Sequence, residues 1–272
     1  MQIGILGTVS VTAGGRQYEI RASKVRIMLA TLALEAGRAI SHEDLVNELW
    51  SGQLLGNVRN ALQAHATRLR RVLEGLGTPP DSSPLRSVRN GYLLDIPREN
   101  VDGNRFLDQA AQGAAALHSQ PARALELLEA GLRLWRGPAM LDAGDGLRCR
   151  AAAAVFDECR LAVWEDLISA RLALGDERRA IPELRQLVAQ HPLRERFRDQ
   201  LMLALYRSGR QSDALELFHQ TRRLLDRELG LRPGLPLQRR YAEILAQDPA
   251  LTLPSAAWPG HRETAGSTGS GR

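Results

Sequence analysis

At 272 residues, 44% of them hydrophobic and 25% charged, the chain is long enough for two ordinary domains and has a globular rather than a disordered or fibrous composition. Its formal net charge of +5 favours an acidic partner only weakly, because arginine runs through the whole chain and Lys24 is the one lysine, as a GC-rich coding sequence would give. The two cysteines, Cys149 and Cys159, show no CxxC or histidine spacing, which leaves structural thiols as the reading. The start MQIGILGTVSV lacks a basic region or cleavage pattern, and no apolar run approaches a membrane span, so a cytoplasmic location is expected.

The first twenty residues alternate. Ile3, Ile5, Val9, Val11, Tyr18 and Ile20, punctuated by Gly7 and Ala13-Gly14-Gly15, predict three short antiparallel strands. A helix follows from Ser23, its expected cap, with Val25, Met28, Leu29 and Leu32 as the buried stripe and Gly37 as the stop. Ala39-Ile40 reads as a short strand. Ser41-His42-Glu43-Asp44 resembles a capping box, and it opens a second helix carrying Leu45, Val46, Leu49 and Trp50.

The stretch NVRNALQAHATRLRRVL, residues 57–73, is the most informative. Leu62, Ala66, Leu69 and Leu73 form an apolar seam at helical spacing. The remaining positions carry Arg59, Asn60, Gln63, His65, Thr67, Arg68, Arg70 and Arg71, and no acid. A solvated helix face normally mixes both signs in i,i+4 pairs. Arginines and amides without acids suit a polyanion with hydrogen-bonding edges, since arginine forks onto guanine and Asn or Gln pairs with adenine. A merely solvated face in an arginine-rich protein is the competing reading.

A Pro/Ser loop, Thr78 to Pro84, leads into LRSVRNGYLLDI, where Asn90-Gly91 between β-prone runs predicts a hairpin with both residues at positive φ. Residues 82–94 again hold no acid, with Arg86, Arg89 and Asn90 near the expected tip. Helix, loop, arginine-rich helix, hairpin is the order of a winged helix-turn-helix, with one helix in the major groove and the hairpin on the backbone or minor groove.

From Val101 the pattern changes to long helices, expected at 103–117, 122–135, 146–174, 177–190, 194–208, 212–229 and 237–247. Gly175 with Ala180, and Gly209 with Ala214, repeat at an offset of 34 residues. Leu172 aligns with Tyr206 and Leu184 with Phe218. That is the tetratricopeptide period, in which glycine permits the turn and alanine the close helix crossing, and such arrays serve protein contacts. Residues 252–272, rich in Gly, Ser, Thr and Pro, are expected to be a disordered tail. No phosphate loop, GxGxxG, GxSxG or HExxH occurs, and the six histidines are scattered singly, so nothing argues for an enzyme, a metal or a cofactor.

Several strings in order resemble one family. In the first part they are Leu62-Gln63, Arg68-Leu69-Arg70-Arg71 and Gly91-Tyr92-Leu93-Leu94. In the second they are Val101-Asp102, Arg105-Phe106, Leu134-Trp135-Arg136-Gly137-Pro138-Ala139, His191-Pro192-Leu193-Arg194-Glu195-Arg196, Leu201 to Arg210, Ala214-Leu215, Glu228-Leu229-Gly230 and Pro233-Gly234. The chain resembles the SARP family, actinobacterial activators of antibiotic gene clusters that join an OmpR-like winged helix to a helical bacterial transcriptional activation domain.

The resemblance implies a mainly α protein: a winged helix-turn-helix (α+β) over 1–97, an all-α tetratricopeptide-like activation domain over 98–251, and the tail. It implies an activator, without catalytic residues, metal or cofactor, that binds direct repeats of double-stranded DNA near the −35 element. Its partner would be RNA polymerase with the principal sigma factor, and a homodimer on DNA is possible. DNA contacts would fall on Arg59, Asn60, Gln63, His65, Thr67, Arg68, Arg70 and Arg71, with Arg89 and Asn90 in the wing. Polymerase contact would fall on Trp50, Ser51, Gly52, Gln53, Leu54 and Leu55, where this chain departs from the Pro-rich acidic loop common in the family. Asn90 also stands where proline is common. A helical interaction scaffold and a repressor of the same architecture are the alternatives.

Overall fold

The computed structural model describes residues 1–50, 57–76 and 83–252. They form two compact units, Met1–Ala170 and a second beginning at Arg171. The first unit opens with β1 (Gln2–Gly4), β2 (Ser10–Ala13) and β3 (Arg16–Glu19), an antiparallel meander in which Ile3 pairs with Val11 and Val11 with Tyr18. Next come α1 (Ser23–Leu34), β4 (Ala39–Ser41), α2 (His42–Trp50), α3 (Val58–Glu74), β5 (Leu85–Val88) and β6 (Gly91–Leu94). The second sheet has the order β4-β6-β5, all antiparallel, so the strand before α2 lies beside the hairpin that follows α3. With α1, α2 and α3 packed on one another, this is the expected winged helix.

Two local expectations change. Ser23 does not cap α1; the cap position is Ala22, without a side-chain bond, and Ser23 is the first helical residue. The hairpin does not turn on Asn90-Gly91. Its two-residue connection is Arg89-Asn90, and neither of these residues nor Gly91 has a positive φ. Gly91 already belongs to β6, paired with Val88 on one side and Ser41 on the other. A Cβ there would collide with the Ile40 carbonyl oxygen, so the glycine is required by the close approach of β4.

The first unit continues through α4 (Asp102–Ala116), α5 (Pro121–Leu132) and most of α6 (Leu147–Ala173). Its two halves interlock through buried or half-buried acids that satisfy backbone donors. The Asp102 carboxylate accepts from the Ile5 N–H (2.7 Å) and the Leu6 N–H (3.3 Å), and it pairs with Arg136 at 2.9 Å. Arg136 in turn donates to the Thr8 carbonyl and the Ser10 hydroxyl, each at 3.0 Å. Asp142 accepts from the Val9 N–H at 2.8 Å and pairs with Arg26 at 3.0 Å. Glu48, on α2 and only 3% exposed, accepts from the N–H groups of Arg148 (2.9 Å) and Cys149 (2.8 Å). It thereby caps the N-terminus of α6, where unsatisfied donors and the helix dipole both favour an anion.

Cys149 is buried with its sulfur 3.6 Å from the Thr31 hydroxyl, and burial pushes its thiol up to about 12. Cys159 is half-buried.

In the second unit α7 (Glu177–Gln190), α8 (Glu195–Arg207), α9 (Gln211–Leu229) and α10 (Leu235–Leu245) pack around α8. Because α8 is enclosed by α7, α9 and α10, even its polar residues Arg198, Asp199 and Gln200 are buried. Arg198 donates to the Pro192 carbonyl (3.0 Å) and the Thr221 hydroxyl (3.1 Å), and Asp199 pairs with Arg240 at 3.0 Å. The repeat inferred from the 34-residue offset is a geometric repeat. Gly175 and Gly209 have φ +74° and +75°. The Gly175 N–H donates to Leu172 and the Asp176 N–H to Arg171, as the Gly209 N–H donates to Tyr206 and the Arg210 N–H to Leu205. Ala180 and Ala214 are fully buried in their crossings.

Removing the Glu48 carboxylate strips two charge-assisted acceptors from a buried helix end. Glu48→Ala should therefore lower unfolding free energy by about 1.5–3 kcal/mol, read from urea titrations, whereas an exposed Glu43→Ala control should be near neutral.

The thiols give an independent check. Since the unfolded Cys149 thiol ionises before the folded one, its contribution to stability falls as pH rises from about 9 toward 12. In the native protein at neutral pH a thiol reagent should modify Cys159 and spare Cys149 until the chain unfolds.

Candidate nucleic-acid interface

The phase of α3 is set by its seam. Leu62, Ala66, Leu69 and Leu73 are all buried, and α3 packs on α1 and α2. With that stripe inward, Arg59, Asn60, Gln63, Thr67, Arg68 and Arg71 are exposed on the other face. Asn57 caps the helix, its side-chain oxygen accepting from the Asn60 N–H at 3.3 Å. The Thr67 hydroxyl donates back to the Gln63 carbonyl at 3.0 Å. Among the described residues, Arg59, Arg68, Arg71 and Arg89 make no ion pair. The exposed face thus keeps its cations free for an outside anion.

Two of the expected contact residues have partners inside the fold. Arg70 is half-buried; its Nε donates to the Leu85 carbonyl at 3.1 Å and its Nη2 to the Ser87 hydroxyl at 2.6 Å, with the guanidinium 5.8 Å from the Tyr92 ring centre. It fastens α3 to the wing. His65 is half-buried, its ring 5.8 Å from that of Trp50, and burial, followed by the charges of Arg68 and Lys24, holds its imidazole below the usual value. It is a neutral group at the flank of the face.

Arg89 and Asn90 are exposed at the hairpin tip. The tip is held by His42: its N–H donates to the Asn90 carbonyl at 2.9 Å, and its ring meets that of Tyr92 edge-on at 5.3 Å. Arg86, also on the hairpin, pairs with Asp95 at 2.7 Å, just beyond the acid-free stretch.

The region expected to meet polymerase divides. Trp50 is 8% exposed at the end of α2 and packs into the fold. Ser51, Gly52, Gln53, Leu54 and Leu55 lie outside the described residues.

Some residues that position this face carried no motif. Lys24 donates from its Nζ to the Leu49 carbonyl at the end of α2. Ser41 and Asp44, by contrast, were legible as a capping-box-like start: Ser41 accepts from the Asp44 N–H at 3.0 Å and donates to the Asp44 carboxylate, which also meets Arg148 at 3.0 Å; these contacts, Ser41 first, hold the Asp44 carboxyl below its usual value. Glu48 had one available signal, an acid on the apolar side of α2 beside Leu45 and Leu49.

Comparisons with known proteins agree with this architecture. Residues 101–245 match the bacterial transcriptional activator domain, and residues 16–94 the C-terminal domain of transcriptional regulatory proteins. The chain is 58% identical over 259 residues to the transcriptional regulator RedD of Streptomyces coelicolor, covering 95% of this chain and 74% of RedD. It is 36% identical to the regulatory protein DnrI of Streptomyces peucetius, covering 92% and 94%. This chain belongs to the SARP family of regulators. Among solved structures, Mycobacterium tuberculosis EmbR, in complex with a low-affinity phosphopeptide, superposes with a TM-score of 0.85 at 31% identity. The match covers 91% of this chain and 65% of the longer EmbR chain. As a SARP-family member the protein is a transcriptional regulator and not an enzyme. No helix among the described residues is long and apolar enough to cross a membrane.

If Arg70 fastens the wing, Arg70→Ala should detach the hairpin from α3. Amide exchange of residues 85–94 should then quicken while α1 stays protected.

For His65 the sign is fixed by its lowered value. The unfolded imidazole takes a proton first, so stability is lost as pH falls below about 6.5, the ordinary histidine value. His65→Gln should reduce that loss in pH-dependent denaturation.

Proposed function

We propose that this chain is a DNA-binding transcriptional activator that occupies direct repeats near the −35 element of promoters in a secondary-metabolite, antibiotic-type gene cluster and recruits RNA polymerase with its principal sigma factor. The observation that carries the reading is the exposed face of α3, free of acids until Glu74 ends the helix and in phase against the buried seam, with the Arg89-Asn90 tip on the adjoining hairpin. Arg68 and the amides of Asn60 and Gln63 suit base edges, and Arg71 suits phosphate.

We assign the winged helix to residues 1–97 and the activation domain to 98–251, acting in the cytoplasm. One protomer per direct repeat gives a head-to-tail pair on DNA rather than a two-fold palindrome. Asp102, Arg136 and Asp142 brace the first two strands, so a fragment ending at 97 should be less stable than one ending at 170. Both retain the reading face.

Arg68→Ala should cost about 1–3 kcal/mol on the operator and relax base preference, while Arg71→Ala should weaken all duplexes alike and lower the salt slope by about one. Fluorescence titrations over a salt series separate the two. Equal loss of specificity in both variants would place the helix in another phase.

Arg89→Glu should weaken operator binding severalfold by setting like charge beside phosphate, without altering the unfolding midpoint. In vitro transcription on promoters of the neighbouring genes fixes the sign. Stimulated synthesis supports the activator, reduced synthesis a repressor, and a flat salt response a scaffold that does not bind DNA.

A further inference from the structure

The second unit carries a groove that neither its packing nor its repeat explains. It runs along the C-terminal half of α9 against α10, is bounded by the turn at 230–234, and encloses about 730 Å3. Its floor is aromatic. The rings of Phe218 and Tyr241 stack at 4.2 Å with 21° between their planes, and the Tyr241 hydroxyl lies 3.3 Å from the His219 Nε2. Its walls are mostly cationic, formed by Arg222 and Arg223 of α9 and Arg232 of the turn, with Asp226 as the acid that lines it. Arg223 is engaged by Glu216 at 2.9 Å. Arg222 and Arg232 are exposed and make no ion pair among the described residues. At the lip Leu231 is 57% exposed.

Guanidinium groups fork onto carboxylates, and an aromatic floor takes an apolar side chain; a groove offering both selects a ligand that carries both. We propose that this groove docks an acidic, hydrophobic peptide segment of a partner protein. The carboxylates of that segment meet Arg222 and Arg232, and an apolar residue lies on Phe218 and Tyr241. Charge complementarity decides against a nucleic-acid strand. Phosphates recur along a strand and would meet the Asp226 carboxylate, whereas a peptide can place a backbone N–H or a hydroxyl there. A duplex also gains little from a stacked floor and an apolar lip that its backbone cannot fill. The proposal rests on the reading that the helical part of the chain serves protein contacts, and it concerns a surface separate from the face of α3.

The test uses the full chain and three fluorescent probes. The first is a synthetic peptide of about 12 residues alternating glutamate with leucine around a central phenylalanine. The second has the same length and charge with serine at every apolar position. The third is a duplex lacking the operator. Anisotropy should show saturable binding of the first peptide, with the serine peptide at least about tenfold weaker. Arg222→Glu with Arg232→Glu, both at exposed positions, should weaken the first peptide by about tenfold or more, while the unfolding midpoint and operator affinity stay as in the parent chain. Absence of saturable binding, or equal binding by the double variant, overturns the proposal. Displacement of the peptide by the non-operator duplex also overturns it and makes the groove a phosphate site. Operator binding, measured on the same samples, fails or survives by itself, so loss of the DNA reading is told apart from loss of this one.

Discussion

Burial of one stripe, Leu62, Ala66, Leu69 and Leu73, governs how this regulator presents itself. Each buried leucine of α3 is worth about 1.5–3 kcal/mol of transfer free energy, so rotating the helix by even one residue would expose leucines and bury arginines. The helix has a single acceptable phase, and that phase alone fixes which polar residues face outward. Arg59, Asn60, Gln63, Thr67, Arg68 and Arg71 form one face because none of them can be placed inside.

The same constraint explains why two polar residues of α3 are diverted. Arg70 and His65 lie at the borders of the buried stripe, where a side chain reaches both the protein and solvent. Arg70 crosses to the wing and accepts a structural role through Leu85 and Ser87, whereas His65 packs beside Trp50 and is kept neutral. The face that remains is narrower than the list of polar residues in the helix, and among the described residues its cations without an ion pair are Arg59, Arg68 and Arg71, joined by Arg89 from the hairpin tip.

Buried and half-buried acids form a second layer of organisation. Asp102, Asp142 and Glu48 each accept from backbone N–H groups far away in sequence, linking the β1–β2 connection and α2 to the part of the chain that follows residue 100. A carboxylate so placed is specific as well as stabilising, because any alternative packing leaves a charge and two donors buried without partners. The helix-turn-helix and the first helices of the activation domain are therefore one mechanical body within the first unit. In the second unit, the periodic glycine-alanine pairs generate a stack whose central helix, α8, hides even arginine and aspartate.

The sequence by itself determined what depends on local period and local chemistry. The strands near the start, the seam and charge pattern of α3, the helices after residue 100, and the 34-residue repeat were legible because a helix or strand writes its buried face at a fixed spacing. What required the tertiary structure was every feature resting on residues brought together from afar. The Asn90-Gly91 pair carried a turn signal in sequence, yet its glycine serves the approach of β4, a strand some fifty residues earlier. Arg70 looked like its neighbours on α3 until the wing supplied its acceptors. Glu48 offered only its place on the apolar side of α2, and Asp102 not even that; nothing local indicates that a backbone donor about one hundred residues away is waiting for either. Local spacing encodes which way a side chain points, and only the folded chain determines what it meets there.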